Sequence, residues 1–148
     1  MMKARLVITL LFVGILNVSC FKEYPFQREH LSGSYLFVDY RTVKAGPVTG
    51  DDISSGAFIL FVGENSSVEV SGAWETKGKA IGLNVKLEPA EVVKEDGTRL
   101  LYEFGLIEGR ESNYWLIGRY KVSGVIPNPQ TKELVDYRAE GWFDARRK

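Results

Sequence analysis

From Gly33 to the end of the chain, apolar and polar residues alternate with the period of 2 that is typical of β-strands. The clearest run is residues 80–88, in which one face is apolar and the other is polar or small. Its apolar face consists of Ile81, Leu83, Val85 and Leu87. This run predicts a strand with one buried face and one wet face.

Short turn sequences separate the alternating runs. Asp96-Gly97 is the sharpest hairpin signal, because this pair tolerates the positive φ angles of a two-residue turn. The other predicted hairpin connections are residues 63–66, 77–79 and 108–111. Eight strands are predicted, near residues 33–42, 56–62, 67–76, 80–88, 90–95, 99–107, 114–125 and 133–145. No segment between them has the length and period of a substantial helix.

Consecutive antiparallel strands without crossover helices predict a sheet that closes on itself, because closure removes the edges that invite aggregation. The last strand supports closure, since its apolar face includes small residues that a narrow interior accepts. That face consists of Val135, Tyr137, Ala139, Gly141, Phe143 and Ala145. The predicted fold is all-β, an eight-stranded antiparallel up-and-down β-barrel over residues 33–148.

Two short sequences carry a resemblance to a known family. "LSGSY" at 31–35 lies where lipocalin-like (calycin-type) barrels begin with Gly-x-Trp, with Tyr35 in place of the Trp, and "GWFDARR" at 141–147 is similar to their final strand. The resemblance implies a lipocalin-like barrel that binds a small apolar molecule or lipid. It also implies that Tyr35 meets Arg146 or Arg147 where the first and last strands join.

The N-terminus has the organisation of an export signal. A basic stretch at 1–5 precedes an apolar stretch at 6–16, which is shorter than the roughly 20 residues that a membrane-spanning helix needs. "LNVSC" follows and resembles the lipobox of bacterial lipoproteins, which implies that Cys20 is acylated and becomes the mature N-terminus. The alternative is an ordinary signal-peptidase site that Cys20 happens to follow.

These signals divide the chain into a lipoprotein signal peptide at 1–19, a lipidated tether at 20–32 and the barrel domain at 33–148. The acyl chains at Cys20 would hold the protein on a membrane without a transmembrane helix. Phe21, rather than Asp, follows the cysteine, and Asp there resembles an inner-membrane retention signal. The predicted location is therefore the cell envelope, on the outer membrane, facing either the periplasm or the surface.

Composition removes several classes of function. Lys plus Arg and Asp plus Glu each number 19, so there is no basic excess of the kind that nucleic-acid binding requires. The single cysteine and single histidine exclude a disulfide framework and the usual zinc sites, and His30 falls in the tether. No phosphate-binding loop, dinucleotide fingerprint or catalytic triad spacing occurs. A two-carboxylate glycosidase stays open, but the chain is predicted to be a non-enzyme without cofactor or metal.

Residues 41–55 form the longest predicted connection, between the first two strands. Loops of this length are usually functional or mobile, so it is either a lid over the open end or a disordered hairpin tip. Asp51 and Asp52 within it supply carboxylate oxygens, but the Asp-x-Asp-x-Asp-Gly spacing of a calcium loop is missing.

Two functional hypotheses remain. In the first, inward aromatic residues line a cavity and their hydroxyl groups orient an apolar ligand. These residues are Phe58, Tyr102, Phe104, Tyr114, Tyr120 and Tyr137. The alternative for the same residues is a barrel interior that they simply fill.

In the second hypothesis, an envelope-structural or protein-interaction lipoprotein uses the outer surface. Trp115, Ile117 and Trp142 fall on faces that should be wet. A register with Arg119 opposite Glu140 would join them into one exposed apolar cluster, of the kind that marks interfaces. The alternative is that the aromatic residues of the tether fold back and cover this cluster.

Overall fold

The computed structural model describes residues 31–110 and 115–148, and these residues form a single antiparallel sheet of ten strands. The strands are β1 (Gly33–Ala45), β2 (Val48–Val62), β3 (Ser67–Gly72), β4 (Thr76–Ile81), β5 (Asn84–Leu87), β6 (Ala90–Val93), β7 (Arg99–Phe104), β8 (Glu108–Arg110), β9 (Trp115–Pro127) and β10 (Leu134–Arg147). A 3-10 turn at Glu64–Ser66 links β2 to β3. The all-β prediction is therefore confirmed. The predicted signal peptide, Cys20, His30 and Tyr114 lie outside the described residues.

The first and last long strands lie side by side in the middle of the sheet. The strand order is β5-β4-β3-β2-β1-β10-β9-β7-β6, and β8 also pairs with β9. In the β1–β10 pairing, Tyr35 lies opposite Arg147, so the predicted meeting of these two residues is confirmed. The Tyr35 hydroxyl donates a hydrogen bond to the Leu31 carbonyl at 2.7 Å. The cation over an aromatic ring is a different pair, Arg146 above Trp115 at 3.9 Å.

The predicted connection at 41–55 is wrong. β1 and β2 continue through it in register as far as Ala45 and Val48, and the turn between them is only Gly46-Pro47. The polar residues there look loop-like in sequence, but they pair across the two strands. Arg41 lies opposite Asp52 and Thr42 lies opposite Asp51, which gives each carboxylate a partner within the ladder.

The predicted strands 67–76 and 80–88, with their turn at 77–79, are also wrong in position. β3 ends at Gly72, whose φ of +113° favours glycine, and β4 begins at Thr76. Gly78 lies inside β4, where the backbone of β5 approaches it closely. The turn falls instead at Gly82-Leu83, with φ of +61° at Gly82. A glycine in an alternating run can mark a turn or a close approach, and only the pairing of strands distinguishes them.

The strands at the two ends of the strand order, β5 and β6, follow each other in the sequence. Hydrogen bonds beside them also connect the two ends of the sheet. Val85 of β5 and Ile107 exchange backbone hydrogen bonds of 2.8 and 2.9 Å, and the Gly109 amide donates to the Leu83 carbonyl at 3.1 Å. β6 and β7 form the hairpin that Asp96-Gly97 predicted. The sheet is therefore strongly curled and wraps its inner face around a core.

The inner face is filled mainly by aromatic side chains around Trp74. We call Phe37, Phe58, Trp74, Phe104 and Phe143 the Trp74 cluster; the ring centroids of the other four lie 4.8, 5.8, 5.4 and 5.4 Å from that of Trp74, in chain order. Tyr137, Ala139, Phe143 and Ala145 are buried, so the predicted apolar face of the last strand is confirmed.

Candidate functional site

A group of polar side chains lies on the inner face beside the Trp74 cluster. We call Asp39, Arg41, Asp52, Ser54 and Tyr120 the polar cluster. They come from β1, β2 and β9, and the alternation of each strand turns them inward. Asp39 is only 4% exposed, although it is a carboxylate.

Asp39 is the buried centre of this cluster. Its carboxylate accepts a short hydrogen bond from the Tyr120 hydroxyl and a second one, of 3.2 Å, from Ser54 Oγ. Arg41 Nη1 lies 3.9 Å from Asp39 Oδ2. Burying a carboxylate is costly unless hydrogen bonds and a nearby cation compensate, and all of these are present.

Arg41 joins the buried carboxylate to the surface. Its Nε and Nη2 donate to Asp52 Oδ2 at 3.1 and 2.8 Å. Burial lowers the pKa of Arg41, but the hydrogen bond to Asp52 and the nearby Tyr137, Tyr120 and Asp39 raise it, and the net shift is upward. The guanidinium is therefore always charged, and the cluster contains two carboxylates for one cation.

Three tyrosines surround this charge system. Burial raises the pKa of Tyr120, and the hydrogen bond to Asp39 raises it further. Burial also raises the pKa of Tyr102 and of Tyr137, while Arg41 lowers both. Unlike Tyr120, neither Tyr102 nor Tyr137 makes a hydroxyl hydrogen bond within the described part of the chain. Two phenol groups can therefore donate to or accept from a bound molecule.

The predicted cavity lining is mostly side chains in mutual contact. Tyr102 and Tyr120 lie at centroid distances of 6.3 and 6.4 Å from Trp74, so they border the Trp74 cluster, to which Phe104 and Phe58 belong. Phe58 also stacks on Tyr35, with the ring centroids 5.2 Å apart. Tyr137 is buried on β10, beside Arg41. The rings thus pack on one another around Trp74, which the sequence placed on an apolar face without indicating its central position.

The outer face of β1, β2 and β10 is apolar where a wet face would be polar. We call Leu36, Val38, Tyr40, Ile53 and Trp142 the outer apolar face. Their exposed fractions are 48%, 38%, 38%, 68% and 44%. Tyr40 and Trp142 stack with their ring centroids 4.6 Å apart. Leu36, Val38 and Tyr40 also line a groove of about 730 Å³, with Asp144 and Arg146 on the side of β10.

The predicted register between β9 and β10 is wrong by two residues. Glu140 lies opposite Lys121, and Trp142 lies opposite Arg119. Ile117 is consequently opposite Asp144 rather than Trp142. A slip of two residues preserves which side chains face outward, so alternation alone could not detect it.

The predicted patch therefore divides into two parts. Trp115 and Ile117 are half-buried, and the Arg146 guanidinium covers the Trp115 ring. Trp142 keeps its predicted outward orientation but stacks on Tyr40, whose strand is not part of the predicted patch. The exposed apolar surface extends from Trp142 toward β1 and β2, not toward β9.

Sequence analysis missed Asp39, Arg41 and Tyr40. Their signal was present: the inward positions of the first strand run Tyr35, Phe37, Asp39, Arg41, so charged residues interrupt an apolar face. The strand was predicted to end at residue 42, which hid the cross-strand partners of the last two inward residues.

Asp51 and Asp52 do not form a joint cation site. Asp51 accepts a hydrogen bond of 2.9 Å from Thr42 Oγ1, whereas Asp52 binds Arg41 on the other side of β2. Among residues 31–110 and 115–148, no group of three His, Cys, Asp or Glu side chains could hold a metal ion. The same residues include no helix with the length and apolarity needed to cross a membrane.

No protein-family model and no curated protein matches the chain. Its function is therefore inferred from the geometry of the molecule.

Proposed function

We propose that the chain is a bacterial lipoprotein, anchored in the envelope through Cys20, whose small lipocalin-like barrel binds another envelope protein through its outer surface. The observation that carries this proposal is the outer apolar face, in which the stacked Tyr40 and Trp142 are each more than a third exposed. Aromatic residues in contiguous exposed groups are enriched at protein interfaces.

The proposed fold is a closed eight-stranded barrel. β5 and β6 are consecutive segments that meet Ile107 and β7 in one register, because Val85 bridges to Ile107 as Ala90 pairs with Tyr102. Counting β5 with β6, and β7 with β8, gives eight strands. The Val85–Ile107 hydrogen bonds then join the strand that follows β4 to the strand that precedes β9, which supports closure of the ring.

The charges around the outer apolar face favour a protein partner over a bare membrane. The basic residues Arg119, Lys121 and Arg146 are balanced by Asp51, Glu140 and Asp144 on the same side of the sheet. Binding to an anionic lipid surface draws on an excess of Lys and Arg, which this face lacks. A protein surface with an apolar centre and a rim of both signs matches it.

Photo-crosslinking in intact cells tests the surface. A crosslinking amino acid in place of Trp142 should join the full-length lipoprotein to one envelope protein, and the same amino acid in place of Ile81 should not. Ile81 is a matched control because it is 56% exposed on β4, outside the outer apolar face.

The double variant Tyr40→Ser, Trp142→Ser should abolish binding of the partner protein while the fold, measured by circular dichroism, is retained. Crosslinks to lipid, to a second copy or to residues 21–30 would refute the proposal.

The membrane anchor needs its own test. Cys20→Ala should release the protein from the membrane fraction and stop incorporation of labelled palmitate, because the acyl chains are the proposed attachment. Palmitate incorporation that continues in Cys20→Ala, or a mature N-terminus elsewhere, would contradict the lipoprotein assignment. The crosslinking experiment does not depend on this result.

A small-molecule function is a second candidate, and the tyrosines favour it. The hydroxyls of Tyr102 and Tyr137 lie near the charged Arg41 and have no partner among the described residues, as polar groups that orient a ligand would. The test is native mass spectrometry of protein extracted gently from its own envelope. A bound apolar molecule should be present in the original chain and lost in Tyr102→Phe, Tyr137→Phe. If both proteins carry the same mass, these hydroxyls hold no ligand.

A further inference from the structure

One strand has an unpaired edge beside the outer apolar face. β2 pairs with β1 from Val48 to Leu60, but β3 pairs with β2 only from Phe58 to Val62. Just beyond the β2–β3 ladder, the Ala73 amide donates a hydrogen bond to the Ala57 carbonyl of β2 at 3.0 Å. Residues 48–56 therefore have a partner strand on one side only within the described part of the chain.

The turn between β1 and β2 identifies which backbone groups face this edge. In a hairpin closed by a two-residue turn, the flanking pair, here Ala45 and Val48, exchanges both hydrogen bonds. Every second residue of β2 after Val48 then bonds to β1, and the residues between them point away. The Ala57 carbonyl, which bonds to Ala73, fits this pattern. The unpaired donors and acceptors belong to Thr49, Asp51, Ile53 and Ser55.

The side chains along the edge define what can pair with it. β2 has no Lys or Arg anywhere in its sequence, and it carries Asp51 and Asp52 at the middle of the edge. Asp51 points outward beside Ile53, which is 68% exposed. A strand that places a basic residue next to Asp51 and an apolar residue next to Ile53 would complement both.

The two nearest alternatives fit less well. A second copy that pairs antiparallel along the whole edge, from Thr49 to Ser55, would place its Asp52 directly opposite Asp52, and like charges directly opposite are destabilising. Residues 21–30 of this chain contain Pro25 in their middle, which lacks the amide that a continuous ladder needs.

We infer that the edge of β2 from Thr49 to Ser55 accepts an extended segment of a partner protein as an additional strand, with Lys or Arg facing Asp51 and an apolar residue facing Ile53. Main-chain hydrogen bonds supply affinity in this mode, and the alternating side chains supply selectivity. The inference rests on the proposed function, since it names how the partner at the adjoining outer apolar face is held.

The probe is a fluorescent peptide of about nine residues in which every second position is lysine and valine in turn, with threonine between them, so that lysine can face Asp51 while valine faces Ile53. It is added to the full-length protein in detergent. Anisotropy should show binding, and a peptide with glutamate in place of lysine should bind at least about 10-fold more weakly. Ser55→Pro removes one edge donor without removing a bond to β1, so its Kd should rise about 5-fold, whereas Ser55→Ala should leave the Kd unchanged. Asp51→Asn should weaken binding of the lysine peptide and reduce its dependence on salt.

Hydrogen exchange provides a readout that does not depend on a proline variant folding. The peptide should slow exchange of the amides of Thr49, Asp51, Ile53 and Ser55. Equal Kd values for Ser55→Pro and Ser55→Ala would overturn the inference. Slow exchange of these amides in the free protein, abolished by deletion of residues 21–30, would also overturn it, because the chain itself would then occupy the edge. If the peptide fails while the Trp142 crosslink persists, the edge site falls and the proposed function stands.

Discussion

The Trp74 cluster and the polar cluster lie side by side on one inner face but are held together by different forces. The Trp74 cluster consists of aromatic rings in contact, which gain stability from removal of apolar area from water. The polar cluster keeps Asp39 away from water, with Arg41 half-buried beside it, and compensates through hydrogen bonds. Loss of a contact in the Trp74 cluster reduces stability in proportion to the apolar area exposed to water. Loss of a hydrogen bond in the polar cluster leaves a buried charge without a partner. We therefore expect the Trp74 cluster to determine whether the sheet folds. We expect the polar cluster to determine how the inner face beside the tyrosines responds to loss of a hydroxyl group.

The largest effect is expected where the rings meet. Trp74→Ala should reduce the free energy of unfolding by about 4 kcal/mol, because it leaves a cavity that the neighbouring rings cannot fill. Trp142→Ala, on the outer face, should reduce it by no more than about 1 kcal/mol, the value of one exposed aromatic stack. Chemical denaturation of both variants measures the difference. Similar losses would mean that the Trp74 cluster is not the core.

In the polar cluster, removal of one hydroxyl group should measurably reduce the free energy of unfolding. Tyr120→Phe removes a donor to the buried Asp39 and should reduce the free energy of unfolding by about 2 kcal/mol. Tyr137→Phe is the matched control, since its hydroxyl has no partner in the described chain, and its effect should stay within about 0.5 kcal/mol. Equal stability of Tyr120→Phe and the original chain, measured by denaturation, would show that Asp39 does not depend on this bond.

Glycines test how tightly the aromatic side is packed. A Cβ at Gly118 would lie 2.5 Å from ring atoms of the fully buried Phe143, so Gly118→Ala should reduce the free energy of unfolding by about 1.5 kcal/mol. Gly50 lies on the inner side of β2 and has nothing within 4 Å of such an atom. Gly50→Ala should change the midpoint of thermal unfolding little. A larger loss at Gly50 than at Gly118 would reverse the comparison.

The smallest effect is expected from alkaline pH. Burial raises the pKa of Tyr35 and Tyr120 above the ordinary value of 10.0, so the unfolded chain loses these protons first. The stabilisation from burying these neutral hydroxyls is complete below pH 10 and declines as the pH rises through it, by up to about 0.4 kcal/mol for each tyrosine at pH 10. Unfolding midpoints between pH 8 and pH 10.5 measure the decline. A midpoint constant over this range, with all tyrosines ionising normally in absorbance, would contradict the burial of these hydroxyls.

Much of the fold followed from alternation alone. The all-β class and the inward face of the last strand depend on the two-residue period, which any paired strand must obey. The hairpin at Asp96-Gly97 followed from the turn preference of that pair. The meeting of Tyr35 with Arg147 came from a resemblance at the two ends of the domain, and their strands pair as it implied.

Along most strands the sequence by itself determined which side chains point in and which point out, because the pleat of a strand imposes that alternation wherever the strand pairs. The exception is the run at 80–88, where the turn at Gly82 leaves Ile81 and Leu83, predicted on the buried face, 56% and 40% exposed. Only the tertiary structure decided where Trp142 lies, since sliding β10 by two residues past β9 leaves every side chain on the same face. It alone also decided that residues 41–45 and 48–55 are strand, that the turn falls at Gly82 and that Asp39, Arg41 and Tyr120 meet. Each of these depends on which strands lie side by side, and a pattern within one strand carries no information about its neighbour.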